Sequence, residues 1–121
     1  MRNGWRVAVV MPAFNEQLQI ESAIKSVPPW IDSLVVVDDG STDLTHQKAT
    51  SVLPQFGKIV RTNGLGVGGA ISTGYAEVIS QLKSDNVSTH DWAVVVMAGD
   101  GQMDPMDIDN LLTPLSRVPF V

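Results

Sequence analysis

Four short apolar runs, at residues 7–11, 34–37, 58–61 and 92–97, punctuate this chain, and each stops at a cluster of small, acidic or glycine residues. The runs are rich in Val, Ala and Leu without polar alternation, the pattern of strands covered on both faces by helices. Segments with helical character lie between them. After Asn15, a candidate N-cap, Ile20, Ala23, Ile24 and Val27 fall on one helical face until Pro28-Pro29 ends the helix. Residues 43–53 form a weaker helical segment closed by Pro54. Residues 68–82 form a better one, with Ala70, Ile71, Tyr75, Val78, Ile79 and Leu82 at helical spacing. Beyond the last strand, Asp104-Pro105 predicts an N-cap followed by proline at the first helical position, opening a helix through Leu111 and Leu112.

Strand and helix alternate throughout, so the expected fold class is α/β, with a mainly parallel sheet flanked by helices. Right-handed crossovers then place the first strand centrally, with the chain reversing direction across the sheet beside it. In such a sheet the carboxyl ends of the strands share one edge, where α/β folds bind ligands. Four clusters converge there: Pro12-Ala13-Phe14-Asn15-Glu16, Asp38-Asp39-Gly40-Ser41-Thr42-Asp43, Asn63-Gly64-Leu65-Gly66-Val67-Gly68-Gly69 and Gly99-Asp100-Gly101-Gln102.

Composition narrows the picture. A chain of 121 residues with 44% hydrophobic content is one domain, able to bury roughly two thirds of its unfolded surface. No repeat, low-complexity tract or linker divides it, so residues 1–121 read as a single, partial domain. The apolar stretch 113–121, directly after a helix, raises the expectation of a fragment whose remainder adds strands. Eight basic against thirteen acidic residues give a charge of -5. With no basic run to neutralise a phosphate backbone, no nucleic-acid partner is expected. An acidic chain that binds a nucleoside diphosphate needs a divalent cation or oriented backbone N–H groups to offset the charge. The chain has no cysteine, which removes disulfides and thiolate metal sites. No apolar run is long enough to span a bilayer, and Met1-Arg2-Asn3-Gly4-Trp5 leads into a strand without a signal-peptide pattern. A cytoplasmic location is expected.

Each cluster has its own chemistry. Asp38 and Asp39 end a strand before a glycine turn, where one carboxylate can accept from a base N–H or a ribose hydroxyl and the other can tie the loop. A solvated turn with Ser41 or Thr42 as N-cap reads the same residues without a ligand. The glycines of 63–69 let backbone approach a ligand closely at a helix N-terminus that favours an anion. Gly64, Gly66 and Gly69 formally satisfy G-x-G-x-x-G, but the match follows the third strand and no suitably placed acid comes after it, which discounts NAD. No Gly-Lys-Ser/Thr follows either, so this is no Walker A loop. Asp100, Gln102 and Asp104 are oxygen ligands at a spacing that suits Mg²⁺ or Mn²⁺ bound jointly with phosphates, or else a polar turn with a helix cap. Glu16 at a helix entrance also favours the dipole. His46 and His90 read as isolated surface residues, and Trp5, Trp30 and Trp92 as packing residues.

Taken together, Val9-Val10-Met11-Pro12-Ala13-Phe14-Asn15-Glu16, Val35-Val36-Val37-Asp38-Asp39-Gly40-Ser41-Thr42-Asp43, the 63–70 segment and Asp100-Gly101-Gln102-Met103-Asp104-Pro105 resemble the family 2 glycosyltransferases. The pattern is most similar to the polyprenol-phosphate (dolichol-phosphate) sugar transferases. The likeness covers nearly the whole chain, with four motifs in order. It implies a Rossmann-like GT-A fold, a nucleotide-diphosphate-sugar donor and Mg²⁺ or Mn²⁺. For that branch it also implies a lipid-phosphate acceptor and membrane association of the full-length parent, at the cytoplasmic face. By motif match Pro12, Ala13, Asn15 and Glu16 line the nucleoside pocket, Asp39 hydrogen-bonds the base and Asp38 braces that loop. Asn63, Gly64, Gly66 and Gly69 belong to the loop that closes over the nucleotide. Asp100 matches the second aspartate of the family's Asp-x-Asp metal motif, with Gln102 a further ligand.

Two departures bear on this. Ala98 stands where the motif has its first aspartate, which leaves metal ligation one carboxylate short. The family's acceptor half and general base normally lie beyond the equivalent of Val121, so no base is assigned and a donor-binding half, inactive alone, is expected. A non-catalytic nucleotide-binding or regulatory module on the same scaffold is the alternative. A sugar-nucleotide-forming nucleotidyltransferase would need a basic triphosphate-gripping segment near the first strand, and none is present.

Overall fold

The computed structural model describes residues 6–84 and 92–100. Trp5, His90, Gln102 and the helix expected after Asp104 lie outside them. Four strands, β1 (Arg6–Ala13), β2 (Ser33–Asp38), β3 (Gly57–Arg61) and β4 (Trp92–Val96), alternate with three helices, α1 (Ile20–Lys25), α2 (Thr45–Val52) and α3 (Gly66–Ser84). The sheet has the order β3-β2-β1-β4 and every pairing is parallel. The chain therefore builds outward from β1 through β2 to β3, then returns to the other side of β1. That reversal is the switch point at which open α/β sheets bind ligands.

The period of two along each strand divides the core. Val7, Val9, Met11 and Ala13 of β1 join Leu34 and Val36 under α1 and α2, packed with Ile20, Ala23 and Ile24. Ala8 and Val10 join Val35, Val37, Val94 and Trp92 under α3, packed with Ala70 and Val78. Both faces of β1, β2 and β4 are thus covered, which is why these strands lack polar alternation; β3, at the sheet edge, keeps Lys58 and Arg61 exposed. Trp92 is buried and Trp30 packs at the edge of the first cluster, as expected. Close packing on the α3 side depends on Gly74, where a Cβ would fall 2.4 Å from Cγ1 of Val10. No helix among the described residues is long and apolar enough to cross a membrane.

The first helix starts later than the pattern implies. Asn15 is not its N-cap: it adopts φ 51, the N-cap position is Gln19, and the N–H groups of Gln19 and Ile20 both donate to the Glu16 carbonyl as α1 begins. The turn at 16–19 precedes a helix of six residues, and Asn15 is drawn into contacts with the next loop. Ser41 and Thr42 likewise do not cap α2, whose N-cap position is Leu44 without a side-chain bond.

Candidate functional site

Register sets the strand ends side by side. Ala13 pairs with Asp38 and Asp38 with Arg61, and pairing continues past β4 as Gly99 N–H donates to the Pro12 carbonyl at 2.9 Å. Gly99 permits this approach, since a Cβ there would lie 3.0 Å from Ala13 Cβ and 3.0 Å from Ile20 Cδ1. Asp100 is thereby carried to the end of β1.

The loop after β1 is clamped by the loop after β2. Asn15 N–H donates to Ser41 Oγ at 2.9 Å, and Asn15 Oδ1 accepts from the Thr42 N–H at 3.0 Å. Glu16 N–H donates to Thr45 Oγ1 at 2.8 Å, while Asp43 Oδ1 accepts from the Thr45 N–H and hydroxyl. Thr45 is fully buried, so the bond that sets the Glu16 backbone is shielded from water. The hydroxyl-rich sequence Ser41-Thr42-Asp43-Leu44-Thr45 thus holds a neighbouring loop as well as its own turn.

Asp39 ties the glycine-rich segment to β2. Its Oδ1 accepts from the Thr62 hydroxyl at 2.6 Å and the Leu65 N–H at 2.8 Å, and its Oδ2 from the Gly66 N–H at 2.8 Å. Those donors, the Thr62 hydroxyl foremost, hold its carboxyl below the usual carboxylate range. Gly64 and Gly66 take φ of 66 and 82, and a Cβ at either would meet nothing within 4 Å. Both are needed for backbone shape, which aims the Leu65 and Gly66 N–H groups, at the entrance to α3, at Asp39. Asp38, to which the resemblance assigned the bracing of its own loop, accepts from the Ser41 N–H at 2.9 Å; Asp39, to which it assigned a base contact, also braces the glycine-rich segment.

A hollow of about 170 Å³ opens at the switch point, lined by Pro12, Ala13, Phe14, Glu16, Asp39, Val67, Ala70, Ala98 and Asp100. Five of the sequence-predicted residues, Pro12, Ala13, Glu16, Asp39 and Asp100, therefore meet in one place. Phe14, Val67 and Ala70 are lining residues that motif reading did not single out. Phe14 and Val67 are exposed, and exposed apolar groups beside polar ones at a strand edge are the available signal. Asn15, exposed, and Asp38, fully buried, do not line it and act as supports through their bonds to Ser41 and Thr42. Asn63 lines a second, more open hollow of about 570 Å³ with Gly40, Ser41, Thr42, Asp43, His46, Gln47 and Arg61. Gly64, Gly66 and Gly69 shape the segment between Asn63 and Ala70.

The lining carries three carboxylates and no cation. Burial pushes the Glu16 carboxyl up, and the negative charges of Asp100 and then Asp43 push it further. Among the described residues no group of three or more His, Cys, Asp or Glu could hold a metal ion. Asp39 is committed to the loop; Asp100 lies close enough to Glu16 to add to the effect of burial in raising its pKa, and Ala98 stands where the motif has a carboxylate. This set suits a cation that takes most of its oxygens from a bound diphosphate, as Mg²⁺ and Mn²⁺ do in phosphate sites. It does not suit a cage built by protein alone.

The family model described as Glycosyl transferase family 2 matches residues 8–120. An uncharacterized protein of Methanocaldococcus jannaschii is 33% identical over 112 residues, 90% of this chain and 41% of its own length. Glucosyl-3-phosphoglycerate synthase of Mycolicibacterium smegmatis is 31% identical over 116 residues, 93% of this chain and 37% of its own. The crystal structure of glucosyl-3-phosphoglycerate synthase from Mycobacterium tuberculosis, in complex with Mn²⁺, uridine diphosphate and phosphoglyceric acid, superposes with a TM-score of 0.64 at 26% identity. That match covers 93% of this chain and 39% of the other. The chain spans less than half the length of these relatives.

Proposed function

The chain belongs to glycosyl transferase family 2, and from that premise we propose that it is the donor-binding part of an enzyme that transfers a sugar from a nucleoside-diphosphate sugar. Its fold is the Rossmann-like α/β arrangement of GT-A enzymes, with the sheet reversal beside β1. The observation that carries the proposal is the convergence of Pro12, Ala13, Glu16, Asp39 and Asp100 in one hollow beside the N-terminal turn of α3. Uridine diphosphate in a mycobacterial relative supports a uridine donor here.

Within this reading the β1 loop and the glycine-rich segment flank the nucleotide, and Asp100 holds a divalent cation together with the diphosphate. Mn²⁺ in the same relative supports a cation of that kind. When bound, it would neutralise charge on the leaving diphosphate. Phe14 and Val67, exposed in the free chain, line the hollow where a bound nucleotide would cover them. For the acceptor we carry phosphate-bearing molecules whose oxygen attacks the anomeric carbon. A polyprenyl phosphate follows from the motif resemblance, and a small phosphorylated hydroxy acid follows from the mycobacterial relatives.

Ala98 favours a second reading, a nucleotide-binding module without metal-dependent chemistry. Calorimetry with uridine diphosphate separates the two. In the donor-site reading Mn²⁺ tightens binding to the chain, and Asp100→Asn abolishes that increment while leaving metal-free binding unchanged. Binding indifferent to Mn²⁺ in both proteins would support the module.

A further inference from the structure

His46 looks isolated in sequence, yet its Nδ1 lies 3.3 Å from Oδ2 of Asp38, a side chain with no exposure to solvent. Oδ1 of that carboxylate accepts from the Ser41 N–H at 2.9 Å. Arg61 brings Nε to 4.0 Å from Oδ2 and donates from Nη2 to the Ser41 carbonyl at 3.0 Å. Neither Oδ2 nor the His46 Nδ1 makes a hydrogen bond among the described residues; the imidazole and the Arg61 guanidinium face the carboxylate as charge partners, across 3.3 and 4.0 Å. Beyond Ser41 the chain of contacts continues, because its Oγ accepts from the Asn15 N–H and the adjacent Thr42 N–H donates to Asn15 Oδ1. Asn15 holds a φ of 51, a left-handed conformation that Asn adopts more readily than other residues with a side chain and that its bonds to Ser41 and Thr42 select here.

We propose that His46 is a positioning residue for the donor hollow: by facing Asp38 from α2 it fixes Ser41 and Thr42, which hold Asn15 and so place Phe14 and Glu16 in the wall. A buried carboxylate that loses the group opposite one oxygen turns toward another donor, and the bond that this weakens is the one from Ser41. Asn15 then relaxes out of its left-handed conformation, and its neighbours on either side move with it. Only the consequence for ligand binding rests on the donor-site reading above. The placement of the loop is a property of the chain without ligand.

The test uses the ¹⁵N-labelled chain without nucleotide. His46→Ala is expected to shift the amide resonances of Ser41, Asn15 and Glu16 and to speed their hydrogen exchange about tenfold, leaving Val9 and Val36 unmoved. His46→Asn, whose Nδ2 can stand in for Nδ1, should restore all three. Uridine diphosphate affinity in Mn²⁺ should follow the same order. Should His46→Ala fail to fold, Arg61→Met, which keeps the apolar stem and removes the guanidinium, is expected to move the same amides. Unmoved Asn15 and Glu16 amides in the folded variant, or a His46→Asn protein that behaves like His46→Ala, would overturn the proposal. If the unmodified chain binds no uridine diphosphate, the donor-site reading fails, while the nucleotide-free amide comparison still decides the role of His46.

Discussion

Asp39 receives three hydrogen bonds from a segment 23 to 27 residues further along the chain, which makes it the residue through which β2 controls the glycine-rich loop. Asp39→Asn keeps the shape but turns an N–H₂ toward one of the donors. We expect faster exchange at Leu65 or Gly66 and uridine diphosphate binding about tenfold weaker. Unchanged exchange at both amides would remove Asp39 from this role. The same carboxylate links the loop to pH. Its folded value lies below the ordinary one of about 3.9, so its contribution is complete above that value and is lost as pH falls through the lowered folded value. Leu65 and Gly66 amide shifts should therefore titrate with a midpoint below about 3.9; a midpoint at or above it would contradict the assignment. Ala98 offers a gain rather than a loss. Ala98→Asp adds a second carboxylate beside Asp100, and Mn²⁺ should bind more tightly in the presence of uridine diphosphate, as read by manganese relaxation of water protons.

At the scale of elements, two glycines of α3 separate packing from propensity. Gly74 sits where a Cβ would meet Val10 and Val37, whereas Gly68 faces open space. Overpacking costs about 1–3 kcal/mol, and replacing a helical glycine with alanine returns about 1 kcal/mol. Gly74→Ala should lower stability by a net amount on the order of 1 kcal/mol, and Gly68→Ala should raise it by about 0.5–1 kcal/mol, in urea unfolding. Equal effects at the two positions would mean that α3 does not pack on the sheet through Gly74. The strands were legible because Val-rich runs buried on both faces leave a strong local signal. The N-terminus of α1 was not, because Asn15 answers to Thr42 and Ser41 from another loop, and tertiary hydrogen bonds leave no periodicity. The weak α2 was legible only as a segment, since its start depends on Thr45 bonding to Glu16 and Asp43.

For the whole molecule, the parallel order with its reversal beside β1 brings loops from β1, β2, β4 and the start of α3 to one edge. Motif spacing anticipated which residues gather there. It anticipated Asp38 as a brace but not Asp39 as the support of the glycine-rich segment, nor Phe14, Val67 and Ala70 as lining, because hydrogen-bond partners are fixed by the folded geometry. A net charge of -5 and three carboxylates around the hollow oppose a diphosphate unless a cation accompanies it. Whether this hollow is a metal-assisted nucleotide site is decided by thermal unfolding of the chain with uridine diphosphate, with and without Mn²⁺. At a hundred times its dissociation constant a ligand adds about 2.7 kcal/mol, a rise in midpoint of several degrees. That rise is expected with Mn²⁺ and a smaller one without it; a folded chain whose midpoint moves in neither condition would rule the site out.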